Sequence, residues 1–129
     1  MIVVDSSALV DALGASPGTE ELCAFLLTED LHAPALVDFE VVAALRGLTL
    51  GGHISAVRAQ DLLSDFDDLR VQRWPALDVL RRRAFDLRDS ISAYDAAYVA
   101  LAEQLDCPLL TRDARLARSS GHYARIVVH

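Results

Sequence analysis

The sequence has 129 residues, 53% of them hydrophobic, and a formal net charge of −7. That length and apolar content suit one domain with a core of its own and exclude a disordered chain. The acidic balance argues against a nucleic-acid binder, which usually shows a basic footprint, although all 12 basic residues are arginines and several cluster, at Arg81-Arg82-Arg83 and at Arg112, Arg115 and Arg118.

Taken in chain order, Ile2 to Val4 is a β-branched run that predicts a buried strand ending at Asp5. No basic region precedes this run, so it is not expected to be a signal peptide. Ser6 to Leu13 has helical spacing, Gly14 to Gly18 is a turn containing Pro17, and Thr19 to Thr28 is a second helix. Leu31 to Ala33 predicts a short strand stopped by Pro34. Leu36 to Leu50 is a strong helix with an apolar stripe of Val37, Val41, Ala44, Leu45 and Leu48, closed by Gly51-Gly52.

Ile54 to Phe66 predicts another helix with Ser55 as its cap, and Leu69 to Val71 a strand. Pro75 is placed at the first turn of a helix that runs to Leu87. Tyr94 to Leu105 is helical, Pro108 to Thr111 a strand, Arg112 to Arg118 a helical turn, and Ile126 to Val128 a last strand. Strands alternating with helices predict a single α/β domain over residues 1–129 with a mainly parallel sheet flanked by helices. No apolar run approaches the roughly 18 residues of a membrane span, so a cytoplasmic protein with no membrane association is expected. Cys23 and Cys107 form no C-x-x-C pair and read as ordinary buried thiols.

Ligands of a parallel sheet bind beyond the carboxyl ends of its strands. That rule selects Asp5, directly after the first strand, and Asp113, two residues after the strand ending near Thr111. Each also precedes helical sequence and taken alone would serve as an N-cap. Glu40 falls on or beside the apolar stripe of its helix, where an ionised carboxylate is costly unless it is paired or binds a metal. Asp38 points to nearly the opposite side and reads as a first-turn carboxylate favoured by the helix dipole. Asp95 follows Ser92 at capping-box spacing and shares a face with Tyr98, Val99 and Ala102.

Together the four acids suggest more than four caps. Carboxylates crowded at one edge repel one another, and Mg²⁺ or Mn²⁺ relieves that repulsion through oxygen ligands. Such a cation activates water and stabilises charge on a phosphodiester without a lysine, a histidine or a nucleophilic serine. The chain has no lysine, and His32, His53, His122 and His129 are scattered and given no chemistry.

At these residues the sequence resembles a PIN domain, and more narrowly the toxin of VapBC-type toxin–antitoxin pairs. Ile2-Val3-Val4-Asp5-Ser6-Ser7-Ala8-Leu9 is similar to the family's first strand and first acid, and the segment around Glu40 to its second. SAYDAAYVALAE, residues 92–103, is the most specific match and supplies Asp95; PLLTRDARL, residues 108–116, supplies Asp113. The resemblance covers nearly the whole chain. It implies a metal-dependent endoribonuclease, a homodimer, and a cognate antitoxin that blocks the active site.

By position, Asp5, Asp95 and Asp113 would bind Mg²⁺ or Mn²⁺ directly or through water. Glu40 would bind the metal or orient the attacking water, with Ser7 and Thr111 as hydrogen-bonding supports or local caps. Arg112 and Arg115 would contact phosphate or an antitoxin carboxylate, or simply face solvent. Many relatives carry a further acid two or three residues after the position of Asp113; here Arg115 and Leu116 stand there, which argues against a fully occupied second metal site. Two alternatives differ in class. A phosphotransfer domain would need a lysine, which the chain lacks, and a phosphatase of that kind would need a carboxylate where Ser7 stands. A non-catalytic PIN-like module would bind RNA or protein without cleaving.

Overall fold

The structure is a computed structural model and describes residues 1–14 and 16–129. Five strands, β1 (Ile2–Val4), β2 (Leu31–Pro34), β3 (Val71–Trp74), β4 (Leu109–Thr111) and β5 (Ile126–Val128), form one sheet in the order β3-β2-β1-β4-β5. Every pairing is parallel: Ile2 registers with Leu31, Val4 with Leu110, His32 with Gln72 and Leu110 with Val127. Seven helices are described: α1 (Ser6–Leu13), α2 (Glu20–Thr28), α3 (Val37–Leu50), α4 (Ala56–Asp68), α5 (Asp78–Asp86), α6 (Ala93–Leu105) and α7 (Ala114–Ala117). The α/β class, the parallel sheet and its helical flanks agree with the sequence. Among the described residues no helix is long and apolar enough to cross a membrane.

The strand order explains where a site can form. From β1 the chain builds outward through β2 to β3, then returns to the other side of β1 as β4 and β5. The order therefore reverses between β1 and β4, and the carboxyl ends of those two strands flank a topological switch point. Both strands are buried along their whole length, as are Leu9, Leu22, Val37, Val41 and Val99 on the helices that cover them. Helix α6 packs on β1, β2 and β4 and against α5, and its run from Tyr98 to Ala102 is buried throughout. This tight seat fixes the first turn of α6, which carries Asp95, against the sheet edge.

Several boundaries differ from the sequence reading; α7, for one, spans only Ala114–Ala117 where 112–118 was expected, because Asp113 is its N-cap. Strand β2 includes Pro34, paired with Trp74, instead of stopping before it. The Ala35 N–H bonds the Trp74 carbonyl, so the adjacent Pro34 nitrogen faces away from β3. The last β1–β2 partners are Val3 and His32, so little pairing is lost there. Helix α4 spans Ala56–Asp68, with Ile54 outside and the Ser55 hydroxyl accepting the Arg58 N–H at 3.0 Å.

Strand β3 is Val71–Trp74, where 69–71 was expected, because Leu69 still caps α4 through the Phe66 carbonyl. As an edge strand its Gln72 and Arg73 look unlike a core strand. Pro75 follows this strand and does not open α5: Leu77 is extended at ψ 152, and the helix begins at Asp78. Of the expected 14–18 turn, Gly14 caps α1 and Gly18 has φ 80, while Ala15 lies outside the described residues.

Two polar clasps tie down the β3 edge. Asp38 does more than face the helix dipole: its Oδ1 accepts the Arg73 Nη2 at 2.8 Å and Nε at 3.0 Å. The buried His32 lies between Asp30, 3.0 Å from its Nε2, and the Trp74 indole N–H, which donates to its Nδ1 at 3.0 Å. Both cysteines are free; Cys107 is buried, but Cys23 is partly exposed and not fully buried as expected.

Candidate active site

Asp5 leaves β1 at the switch point and becomes the N-cap of α1, its Oδ1 accepting the Ala8 N–H at 3.1 Å. Capping does not exhaust it. The Ser7 hydroxyl donates to the same oxygen at 2.6 Å, and the Thr111 hydroxyl at the end of β4 donates to Oδ2. Ser7 Oγ in turn accepts the Arg112 N–H at 3.1 Å, and Thr111 Oγ1 accepts the Asp113 N–H at 2.9 Å. Ser7 and Thr111 therefore bind the two central strand ends together around one carboxylate. Asp5 is only 8% exposed. Burial pushes its pKa up; the hydrogen bonds pull it down and the Asp95 charge adds to the rise, leaving it raised.

Glu40, in the first turn of α3, is half-buried and reaches the same region. Its Oε1 accepts the Tyr98 hydroxyl at 2.6 Å. The partner that makes this partly buried carboxylate tolerable is thus a phenol from α6. Burial raises the Glu40 pKa; the Tyr98 bond opposes this, and the charges of Asp95 and Asp5 reinforce it. Tyr98 is 2% exposed, and burial together with Glu40 holds its proton far above the ordinary phenol range. It is a fixed donor. The sequence placed Tyr98 only as a packed residue; its position three after Asp95 on one helical face was the available signal.

Asp95 lies in the first turn of α6, and its N–H bonds the Ser92 hydroxyl at 3.2 Å. Only this half of the expected capping box forms. Among the described residues nothing donates to the Asp95 carboxylate, which stays available while its charge acts on both Asp5 and Glu40. Asp113 stands at the same edge as the N-cap of α7, but its carboxylate is engaged. Arg115 contacts it through Nη2 at 3.0 Å, Nε at 3.2 Å and its backbone N–H at 2.9 Å. This guanidinium holds Asp113 below the usual carboxylate range. Arg112 is also paired, its Nε 2.8 Å from Asp11 Oδ2.

The structure thus brings Asp5, Glu40 and Asp95 into one electrostatic group, with Asp113 turned to its own arginine. Among the described residues no three acidic, histidine or cysteine side chains close into a ready cage for an ion. The donors still have the chemistry of a hard-cation site. Asp5 Oδ2 accepts a single hydrogen bond, and Glu40 Oε2 and the Asp95 carboxylate accept none among the described residues. Mg²⁺ keeps several waters and is commonly bound through one or two carboxylates. The residues fit such an ion.

The model of the PIN-domain family matches residues 2–121 of this chain. The chain belongs to the PIN-domain family. Within the family it is a VapC-type PIN domain: it is 42% identical over 126 residues to Ribonuclease VapC12 of Mycobacterium tuberculosis, covering 98% of this chain and 97% of that one. Among solved structures, PAE2754 from Pyrobaculum aerophilum superposes on this PIN domain with a TM-score of 0.72 at 25% identity, over 97% of this chain and 81% of that one. A toxin–antitoxin complex from Klebsiella pneumoniae contains the same fold, with a TM-score of 0.62 at 16% identity over 91% of this chain and 90% of that one.

Proposed function

We propose that this PIN domain is an endoribonuclease, the toxin of a cytoplasmic toxin–antitoxin pair, and that it hydrolyses RNA phosphodiester bonds with Mg²⁺ or Mn²⁺. The observation that carries the reading is the group of Asp5, Glu40 and Asp95 at the switch point, where burial and mutual repulsion raise two of the three carboxyls. The near full-length similarity to a protein named a ribonuclease supplies the reaction.

In this reading Asp5 and Asp95 hold the cation, and Asp113 is a further ligand at the same edge. When bound, the ion lowers the pKa of a water and stabilises charge on the phosphodiester. Glu40 holds the ion or accepts the proton of the attacking water through Oε2, while Tyr98 fixes Oε1. Ser7 and Thr111 keep Asp5 aimed. Two protein partners complete the proposal. A second copy of the chain is supported by Phe39, Val42 and Leu50 on α3, which are 79%, 43% and 70% exposed. An antitoxin is supported by an apolar groove that runs from Trp74, Leu80, Phe85 and Ile91 to Tyr94, the residue before Asp95.

The test is cleavage of total cellular RNA by the purified protein in Mg²⁺, in Mn²⁺ and in excess EDTA, with Asp95→Asn alongside. Discrete fragments that require the metal and vanish in the variant are expected. Intact RNA with folded, metal-loaded protein, or equal cutting by the variant, would refute the mechanism and favour a non-catalytic binding module.

A further inference from the structure

Arg115 stands where the sequence lacks a fifth acid, and the structure shows what it does there. Its backbone N–H and Nε both point to Asp113 Oδ1, and its Nη2 to Oδ2. The first oxygen has no lone pair left and the second has one. Asp113 therefore cannot offer both oxygens to an ion while Arg115 is in place. The Asp95 charge acts on the Arg115 guanidinium, which therefore lies within the field of the acid group as well as on its neighbour. Yet its side chain is 83% exposed. A pair so wet is worth no more than about fivefold in an equilibrium, so it is readily exchanged. The planar fork that holds a carboxylate fits a phosphate equally well.

We propose that Arg115 is a built-in, removable counter-ion. In the free protein it is parked on Asp113; when RNA binds, a phosphate takes the guanidinium, and Asp113 is released to the metal. Substrate binding and full metal coordination are thereby coupled. This rests on the reading of Asp5, Asp95 and Asp113 as metal ligands.

Calorimetric titration of Mn²⁺ in the absence of RNA tests the first half, with wild type, Arg115→Ala, Asp113→Asn, the double variant, and Arg118→Ala as a control for lost positive charge. Arg115→Ala is expected to tighten Mn²⁺ binding about three- to fivefold, Arg118→Ala to change it by less than twofold, and the gain to disappear in the double variant. The second half is read by anisotropy of a labelled single-stranded RNA in excess EDTA. Arg115→Ala should weaken binding and lower the salt slope by about 0.7, one phosphate contact fewer. Mn²⁺ affinity unchanged by Arg115→Ala, matched by Arg118→Ala, or still raised with Asp113→Asn present, would overturn the proposal, as would RNA affinity that does not fall. Asp95→Asn separates the two levels: if it leaves Mn²⁺ binding intact, the metal-site reading itself has failed; if it abolishes binding while Arg115→Ala has no effect, only the parked arginine is wrong.

Discussion

Replacing Tyr98 by Phe removes one hydroxyl from a residue that is 2% exposed and otherwise leaves its packing unchanged. The lost bond is the 2.6 Å donation to Glu40 Oε1. A hydrogen bond to a charged group contributes about 1.5–3 kcal/mol; half-exposure of Glu40 reduces this to about 1–2 kcal/mol at neutral pH. For a domain of this size that lowers Tm by about 4–7 °C. The sign with pH follows from Glu40, whose folded pKa is already raised by burial and rises further without its donor. Well below the carboxylate range Glu40 is protonated in both folded and unfolded chains, and only a neutral bond is lost, about 0.5–1 kcal/mol. As pH rises through that range the variant must ionise a less supported carboxylate, so its deficit grows. Thermal melts of wild type and Tyr98→Phe across pH 3.5 to 7.5 measure this, and the acid limb of RNA cleavage should move to higher pH in the variant. A Tm deficit that is constant over the range, or that shrinks toward neutral pH, would refute the role of Tyr98 as the support of an ionised Glu40.

Asp95→Asn should remove cleavage and add up to about 1 kcal/mol of stability at pH 7, the scale of a screened charge pair, seen as a higher Tm, because the Asp95 charge raises both Asp5 and Glu40; a lower Tm would contradict this. Thr111→Val leaves the buried Asp5 Oδ2 without its donor and should cost about 1–3 kcal/mol, whereas Thr111→Ser keeps the hydroxyl and most of the stability in denaturant titrations. Mn²⁺ at ten times its Kd should stabilise the protein by about 1.4 kcal/mol. Because Asp5 and Glu40 have raised pKa values and must lose protons to bind, the gain at a fixed Mn²⁺ concentration should increase from pH 5 to pH 7; a Tm indifferent to Mn²⁺ would argue against the site.

The central strand β1 and the edge strand β5 were legible because Ile2-Val3-Val4 and Ile126-Val127-Val128 are β-branched runs, and the position of Asp5 followed from where the first run ends. The opposite edge strand, β3, was not: Gln72 and Arg73 carry no core signal, and only pairing with β2 fixes their register. Pro75 looked like a helix start because proline suits both a first turn and a strand exit. At the site, the four acids were singled out by position and resemblance, while their partners were not. Tyr98 on a packed helical face looks like any core aromatic, and its bond to Glu40 joins residues 58 positions apart. Only Thr111 and Ser7, each two residues from an acid, showed a trace of the network around Asp5. The Arg115 fork on Asp113 depends on the tight turn at the start of α7, which a residue pattern does not specify.

The hydroxyl of Thr111 that seats Asp5 comes from a strand 106 positions further along the chain. Synthesis runs from the N-terminus at about 5–20 residues per second. A growing chain can therefore carry Asp5, Glu40 and Asp95 outside the ribosome for seconds before β4 arrives to fasten β1 from its open side. Until then Asp5 lacks its second support and the switch point has only one wall. The carboxylate edge is thus among the last parts of the molecule to be finished.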